Sequence, residues 1–296
     1  MFFQQLVSGL AVGCVYALIA LGYTMVYGIL RFINFAHGGI FTWGCYFGWM
    51  ALGVLTGVLP TGPAFVVATV FAVILTAALG VCVEKLAYRP IRHAGFLPPF
   101  MSSLGVSLLL MYGAMVIWTP NTQSMVQLFA GQNFTIAGIT ISYLQVTMML
   151  TTVLLTVGLS LFIKKSRIGM AIRATSQDQA AAGLMGINLD TVISITFAIG
   201  SGMAAVGGML VGTYYASVYP TMGWMAGLKG FIAAILGGLG SMSGAAVAAV
   251  ILGLAENLAA GYIDAGYKDA IAFVILILVL LVRPQGLFGG KGGKKV

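Results

Sequence analysis

Long apolar stretches separated by short polar segments dominate this chain. Residues 32–83 and 93–163 contain no Asp, Glu, Lys or Arg. A helix needs about 20 apolar residues to cross roughly 30 Å of hydrocarbon, so each stretch is long enough to cross a bilayer more than once. Because a helix satisfies its own backbone hydrogen bonds in lipid, the pattern predicts an all-α, polytopic integral membrane bundle.

The pattern predicts about eight spans. Seven are continuous, at residues 6–30, 38–59, 63–83, 98–118, 143–163, 191–215 and 270–282. The remaining region, 228–255, contains the small-residue run GGLGSMSG, and glycines there weaken a helix by about 1 kcal/mol each. We therefore predict a broken or re-entrant helix near 228–255, and favour a re-entrant pair of half-helices. A close crossing of small-residue faces is the alternative.

Composition supports a membrane protein. Charged residues make up 7% of the chain and hydrophobic residues 60%, and the mean hydropathy is +1.05. A soluble domain carries about 25% charged residues, so this chain could not coat a polar surface. The net charge of +8 could suggest nucleic acid, but the basic residues fall in short clusters beside apolar spans. Membrane topology explains them better, and we expect the lipid bilayer as a partner and no nucleic acid.

The basic clusters predict the orientation. They lie in residues 84–92, 164–190 and the tail from 283, which should be cytoplasmic. The uncharged loops 119–142 and 216–227 should be outside, and the N-terminus with them. A single crossing at 228–255 would leave the basic tail outside, which favours the re-entrant interpretation. Since the first apolar segment lacks a basic n-region, we expect a retained span rather than a cleaved signal.

No catalytic chemistry is indicated by the sequence. The spans carry no paired carboxylates, and the H-E-x-x-H, G-x-S-x-G and G-x-x-x-x-G-K-[ST] motifs are absent. Cys14, Cys45 and Cys82 lie in apolar spans without metal-ligand spacing, so we interpret them as small core residues. We predict a transport protein rather than an enzyme, with no catalytic residue, metal site or bound cofactor, so that any ATP would be hydrolysed by a partner.

Polar side chains at membrane depth are candidates for a substrate pathway, because each is costly in lipid. The candidates are Tyr16, Tyr23, Asn34, His37 and Glu256. For Asn34 and His37 the alternative is a helix-capping Asn and an interfacial His, and for Glu256 it is an exposed cap. Otherwise the predicted pathway carries almost no fixed charge.

The cytoplasmic segment 164–190 has the pattern of one short amphipathic helix. Ala174 and Ala182 alternate with Arg173 and Asp178, and Gly186 suits a helix C-terminus. Such a face fits a helix-in-groove contact, with the small residues allowing close approach. The alternative is a solvated connector between two spans.

Several motifs together resemble those of the LivH-type permeases of branched-chain amino-acid ABC importers. The resemblance runs nearly end to end and includes YALIALGYTMVYG at 16–28, NFAHG at 34–38, EKLAYRP at 84–90 and GLKGFIAAILGGLGS at 227–241. In the cytoplasmic segment, the residues that match the family's ATPase-coupling pattern are Gly169, Arg173, Ala174, Asp178, Gly186 and Ile187.

This resemblance implies one permease domain over residues 1–296, with 164–190 as its ATPase-coupling loop, in a bacterial plasma membrane. It implies a second, homologous permease, two cytoplasmic ATPases that bind ATP and magnesium, and a periplasmic substrate-binding protein. Leucine, isoleucine and valine are the implied substrates, and urea or short amides are the alternative, since a fold does not fix a ligand. A different class, an autonomous channel or secondary transporter, would need an ion or proton site inside the bundle.

Overall fold

The structure, a computed structural model, describes residues 2–129, 131–136 and 138–288. Eleven α-helices occur in these residues: α1 Phe2–Leu30, α2 Ala36–Leu55, α3 Thr61–Val83, α4 Leu97–Ile117, α5 Tyr143–Lys165, α6 Arg167–Gln177, α7 Gln179–Leu184, α8 Leu189–Tyr214, α9 Met222–Gly237, α10 Met242–Tyr262 and α11 Lys268–Val282. A π-helical turn, Glu84–Tyr88, continues α3, and a 3-10 turn, Ala265–Tyr267, precedes α11.

Among the residues that the structure describes, eight helices are long and apolar enough to cross a membrane. They are α1, α2, α3 with its π-turn, α4, α5, α8, α10, and α11 with its 3-10 turn. Each of the seven continuous spans expected from the sequence corresponds to one of them. The all-α, polytopic membrane bundle is therefore confirmed.

The helix break in the eighth region is also confirmed, but its form differs from the pair of half-helices that we favoured. The chain turns between α9 and α10 at residues 238–241, where Gly238 and Gly240 have φ angles of 94° and 95° that favour glycine. Helix α10 has 21 residues, a full span, and α9 has 16, which is about 24 Å long. The helices are longer than expected because the apolar sequence continues on both sides of 228–255.

One end of the bundle gathers the basic segments. Arg89 and Arg92, which follow α3, both donate to the carboxylate of Asp190 at the start of α8. Arg31, at the end of α1, donates to the carbonyl of Ser176 in α6 at 2.9 Å. The 84–92 and 164–190 segments therefore share one end, as their common cytoplasmic assignment requires.

The start of the basic tail lies at this same end. The backbone N–H of Leu287 donates to the carbonyl of Leu236, near the end of α9, at 2.7 Å. Because α9 and α10 run antiparallel, α11 can return to the end from which α10 starts. Two antiparallel helices in place of a single crossing therefore allow the basic tail to return to the same end as the other basic segments.

The opposite end carries the uncharged loops. Strand β1, Gln123–Ser124, pairs with β4, Ser217–Val218, and β2, Asn133–Ile136, pairs with β3, Ile139–Ser142; both pairs are antiparallel. The side chain of Gln4 donates to the Thr140 carbonyl at 2.8 Å and accepts from the Thr140 N–H at 3.1 Å. The start of α1 therefore lies beside the loops that were predicted to be outside.

Small residues permit the closest helix contacts in the bundle. Helix α1 is central and packs against α10, α8, α9 and α5. Where α1 crosses α10, a Cβ added to Gly13 would lie 2.8 Å from the Cα of Val250. On α8, a Cβ at Gly208 would lie 2.6 Å from the carbonyl oxygen of Phe41. Packing in the bundle, as the small-residue spacing predicts, accounts for these glycines.

Candidate substrate pathway and cytoplasmic coupling surface

A buried ion pair joins α9 to α10. The Nζ of Lys229 lies 3.1 Å from both carboxylate oxygens of Glu256, and the Tyr16 hydroxyl donates to Oε2 of Glu256 at 2.9 Å. Glu256 is 1% exposed, so the interpretation as an exposed cap is wrong. Transfer of a carboxylate from water into the protein interior costs several kcal/mol. A buried carboxylate therefore stays charged only beside partners whose attraction offsets that cost.

Sequence reasoning missed Lys229, although a signal was available. Lys229 is the one basic residue between Arg173 and Lys268, and it stands inside an apolar segment. An ionisable residue in such a position is a functional candidate by default. We expected the pathway to carry almost no fixed charge. That expectation is wrong, because a cavity in the bundle is lined by the Lys229 ammonium.

Lys229 has a second acidic partner. Oδ1 of Asp269, in the first turn of α11, lies 2.8 Å from its Nζ. The side chain of Asp269 is 52% exposed, in contrast to buried Glu256. One ammonium thus bridges a buried carboxylate and an exposed one, and ties α9 to both α10 and α11.

A cavity of about 190 Å³ reaches this cluster. Its lining includes Ser217 and Tyr219, from the loop after α8, as well as Lys229. Its lining residues come from four parts of the bundle and are Val12, Val15, Tyr16, Met148, Val211, Tyr214, Tyr215, Ser217, Tyr219, Met222, Met225, Ala226 and Lys229. The lining combines apolar side chains, tyrosine hydroxyls and one cation, which suits a small amphipathic solute.

Tyr23 and His37 form a second polar cluster. Their ring centroids are 4.7 Å apart in an edge-to-face arrangement, and His37 is buried. The imidazole lies so close to Gly22 that a Cβ there would collide with the ring. Within the part of the chain that the structure describes, Nε2 of His37 has no hydrogen-bond partner. His37 is therefore a packed interior group, not an interfacial one.

Asn34 has a different hydrogen-bond partner. Its Oδ1 accepts a hydrogen bond of 2.7 Å from the hydroxyl of Tyr88, in the π-turn, and the residue is buried. Phe35 occupies the N-cap position of α2, so Asn34 is not the helix cap that the alternative supposed. The five candidates therefore separate into Tyr16 with Glu256, Tyr23 with His37, and Asn34 with Tyr88.

The segment 164–190, predicted to be cytoplasmic, folds as two short helices rather than the one helix expected. Asp178 lies between α6 and α7 with φ −150° and ψ 111°, and its carboxylate accepts from the N–H of Ala181 at 3.0 Å. An extended Asp at this position caps the following helix and ends the preceding one. The amphipathic pattern alone did not reveal this break.

Two glycines shape the segment. A Cβ at Gly169 would collide with the backbone of Phe162 and Ile163, so glycine lets α6 pack against the end of α5. Gly186 has φ 84°, and the N–H of Ile187 donates to the carbonyl of Ala182 at 3.1 Å. This is the glycine C-terminal motif, and it confirms the predicted helix end at Gly186.

A groove of about 490 Å³ runs along α6 and α7. Its lining includes four of the residues proposed for coupling, among them Ile187, and comprises Arg167, Met170, Ala171, Ala174, Gln177, Asp178, Ala181, Ala182, Met185 and Ile187. Leu184 and Met185 are 90% and 84% exposed beside it, and Arg173 is also exposed. Exposed apolar side chains at the end of the bundle that carries the basic segments indicate a protein contact.

A bundle of apolar spans with a buried ion pair and an exposed groove beside its basic segments fits a membrane transport protein. A family described as "Branched-chain amino acid transport system / permease component" matches residues 5–280. The chain therefore belongs to this family of permease components, and it is a multi-pass membrane protein.

Similar proteins are known in sequence and in structure. The chain is 42% identical to the high-affinity branched-chain amino acid transport system permease protein BraD of Pseudomonas aeruginosa, and 41% identical to LivH of Escherichia coli K12; each match covers 100% of this chain and 98% of the relative. PsaBC from Streptococcus pneumoniae, in complex with Fab, has a TM-score of 0.50 at 14% identity, and the match covers 96% of this chain and 93% of that one. The likeness to PsaBC concerns the fold alone.

Proposed function

We propose that this chain is the transmembrane permease subunit of a binding-protein-dependent ABC importer that brings leucine, isoleucine and valine into the cytoplasm. The observation that carries the proposal is identity of 41–42% over the full chain to permeases named for branched-chain amino acids. These relatives favour branched-chain amino acids over urea and short amides. The protein would act in the bacterial plasma membrane.

Permeases of ABC importers work with ATPase and substrate-binding partners. For this chain we propose a second, homologous permease, two cytoplasmic ATPases that bind ATP and magnesium, and a periplasmic binding protein that docks on the outer loops. The chain itself would bind no cofactor. Energy would then reach the bundle through a contact at its cytoplasmic end.

The groove along α6 and α7 is the proposed site of that contact. Ala174 would contribute the surface, with exposed Arg173 beside the groove and exposed Met185 inserted into the ATPase, while buried Ala182 would support α7 from beneath. Gly169, Asp178 and Gly186 would act indirectly, because they set the packing, the break and the end of the two helices. Ile187, which lies between α7 and α8, would pass the movement to a central span.

Competition for uptake tests the proposed substrate. Cells that express the complete transporter and its binding protein should accumulate labelled leucine, and an excess of isoleucine or valine should suppress the signal. An equal excess of urea should leave leucine uptake unchanged, because urea lacks the charged and apolar groups of these amino acids. Uptake of labelled urea with no leucine uptake would contradict the proposal.

A further inference from the structure

Lys229 lies between two carboxylates that differ greatly in exposure. Its Nζ is 3.1 Å from buried Glu256 and 2.8 Å from half-exposed Asp269. Exposed ion pairs contribute little to stability, whereas breaking a buried pair leaves an uncompensated charge. Asp269 is therefore the partner that a ligand can displace from Lys229 while Glu256 remains paired.

The cavity beside the outer loop reaches Lys229, the shared partner of the two carboxylates. Lys229 and Tyr16 line it together with Ser217 and Tyr219 of the outer loop. Its volume of about 190 Å³ is below the roughly 300–1,000 Å³ of pockets for drug-sized ligands, so it suits a solute of amino-acid size. The methionine and valine side chains of the wall would cover an aliphatic group.

Charge balance selects the kind of solute. A zwitterionic α-amino acid can place its carboxylate on Lys229 and its ammonium on Asp269, so both charges of the opened pair regain a partner. An anion would add a third negative charge and leave Asp269 unpaired. Urea would compensate neither charge, and unpaired groups in a partly buried site are penalised.

We propose that Lys229 and Asp269 form a zwitterion-selective site, in which an entering α-amino acid inserts between the two side chains and opens the link between α9 and α11. Glu256, held by Tyr16, is the buried anchor that keeps the Lys229 ammonium in place. This inference rests on the proposed function and deepens it, because it assigns recognition of the amino-acid headgroup to the permease itself.

Protection from cysteine labelling reports occupancy of the site. The assembled transporter, without binding protein, carries Ser217→Cys at the mouth of the cavity and Cys82→Ser to remove the exposed native thiol. Leucine should slow labelling by a charged methanethiosulfonate reagent. Leucinamide, which lacks the carboxylate, 4-methylpentanoate, which lacks the ammonium, and urea should each protect poorly.

Two charge variants then test the residues. Asp269→Asn should raise the leucine concentration that gives half protection by about tenfold or more, because it removes one of two charged contacts. Lys268→Gln, at the neighbouring position, is the matched control and should leave protection unchanged. Equal protection by leucine in Asp269→Asn and in the parent would overturn the proposal.

Loss of Lys229 alone would leave Glu256 buried without its cation, so a neutral pair is the better variant. Lys229→Met with Glu256→Gln keeps the volume of both side chains without charge. This double variant should assemble with its partners and lose leucine protection. Full protection in the assembled double variant would show a structural ion pair only.

Failure of this inference can be told from failure of the proposed function. If the parent imports leucine with its binding protein and Asp269→Asn does so with unchanged protection, the inference alone is wrong. If the parent imports no branched-chain amino acid, the proposed function is wrong, and the protection assay still decides the charge selectivity of the site.

Discussion

Buried charge is the strongest constraint at the scale of single residues. Lys229 and Glu256 lie inside an apolar bundle, where the buried Glu256 carboxylate is acceptable only beside the Lys229 ammonium. Tyr16 adds a hydroxyl donor from α1 at 2.9 Å. Three helices, α1, α9 and α10, are therefore held together by one polar contact network.

Removal of one partner should cost more than removal of both charges. Lys229→Ala should lower the stability of the purified protein by about 3–5 kcal/mol, because it leaves Glu256 buried and unpaired. Thermal unfolding in detergent measures the change. The Lys229→Met, Glu256→Gln pair should recover most of the loss, and a double variant as unstable as Lys229→Ala would contradict the account.

Asn34 allows a sharper test of the polar residues near α2. We expect Asn34→Ala to reduce uptake while leaving assembly intact, since it removes a buried polar group beside uncharged spans. Tyr88→Phe removes only the donor of the 2.7 Å hydrogen bond, so the comparison separates a bracing contact from a direct role. An equal loss in both variants indicates bracing. Normal uptake by Asn34→Ala would refute the prediction.

His37 is tested in the same assay but by a separate variant. His37→Ala should reduce uptake, because the ring fills the space between Tyr23 and Gly22. Tyr23→Phe keeps the aromatic contact and should transport at close to the parental rate. Normal uptake by His37→Ala would contradict this prediction.

At the scale of helices, the sequence pattern predicts the spans well and the short-range breaks less well. Apolar length alone locates the seven continuous spans, and the glycine run locates the turn between α9 and α10. The pattern could not reveal that Asp178 divides the coupling segment, because an amphipathic stretch looks alike with or without one extended residue. It also could not place Asn34 against Tyr88, because that contact joins residues 54 positions apart.

The crossing of α1 and α10 predicts which glycines are essential. Gly13→Ala should disrupt assembly, because its Cβ would lie 2.8 Å from the backbone of Val250. Gly105→Ala is the control, since a Cβ there meets nothing within 4 Å. Size-exclusion profiles of the two variants in mild detergent should differ. Identical profiles would contradict the close crossing.

The coupling groove is tested at two exposed positions. Arg173→Glu with Met185→Glu should abolish co-purification with the ATPase and ATP-dependent uptake together, because charge is introduced into the proposed contact. Both side chains are exposed, whereas Ala182 is buried, so a large residue at 182 would disturb α7 itself. Lys164→Glu, outside the groove, is the control. Normal uptake by the double variant would support the solvated connector.

For the whole molecule, the two ends of the bundle carry different chemistry. The basic segments and the groove lie at one end, and the uncharged loops and the mouth of the cavity lie at the other. A solute would enter through the outer cavity, and energy would enter at the cytoplasmic groove. In the proposed function each of these features meets a partner, which distinguishes this account from an autonomous channel or secondary transporter.

Reconstitution with single components omitted tests this central claim most directly. Proteoliposomes that contain this chain, the second permease and the ATPases, with binding protein supplied outside, should accumulate labelled leucine when ATP is enclosed. Omission of the ATPases, of the binding protein, or of ATP should each abolish accumulation. Leucine accumulation by this chain without ATPases or ATP, driven by an ion gradient, would contradict the account.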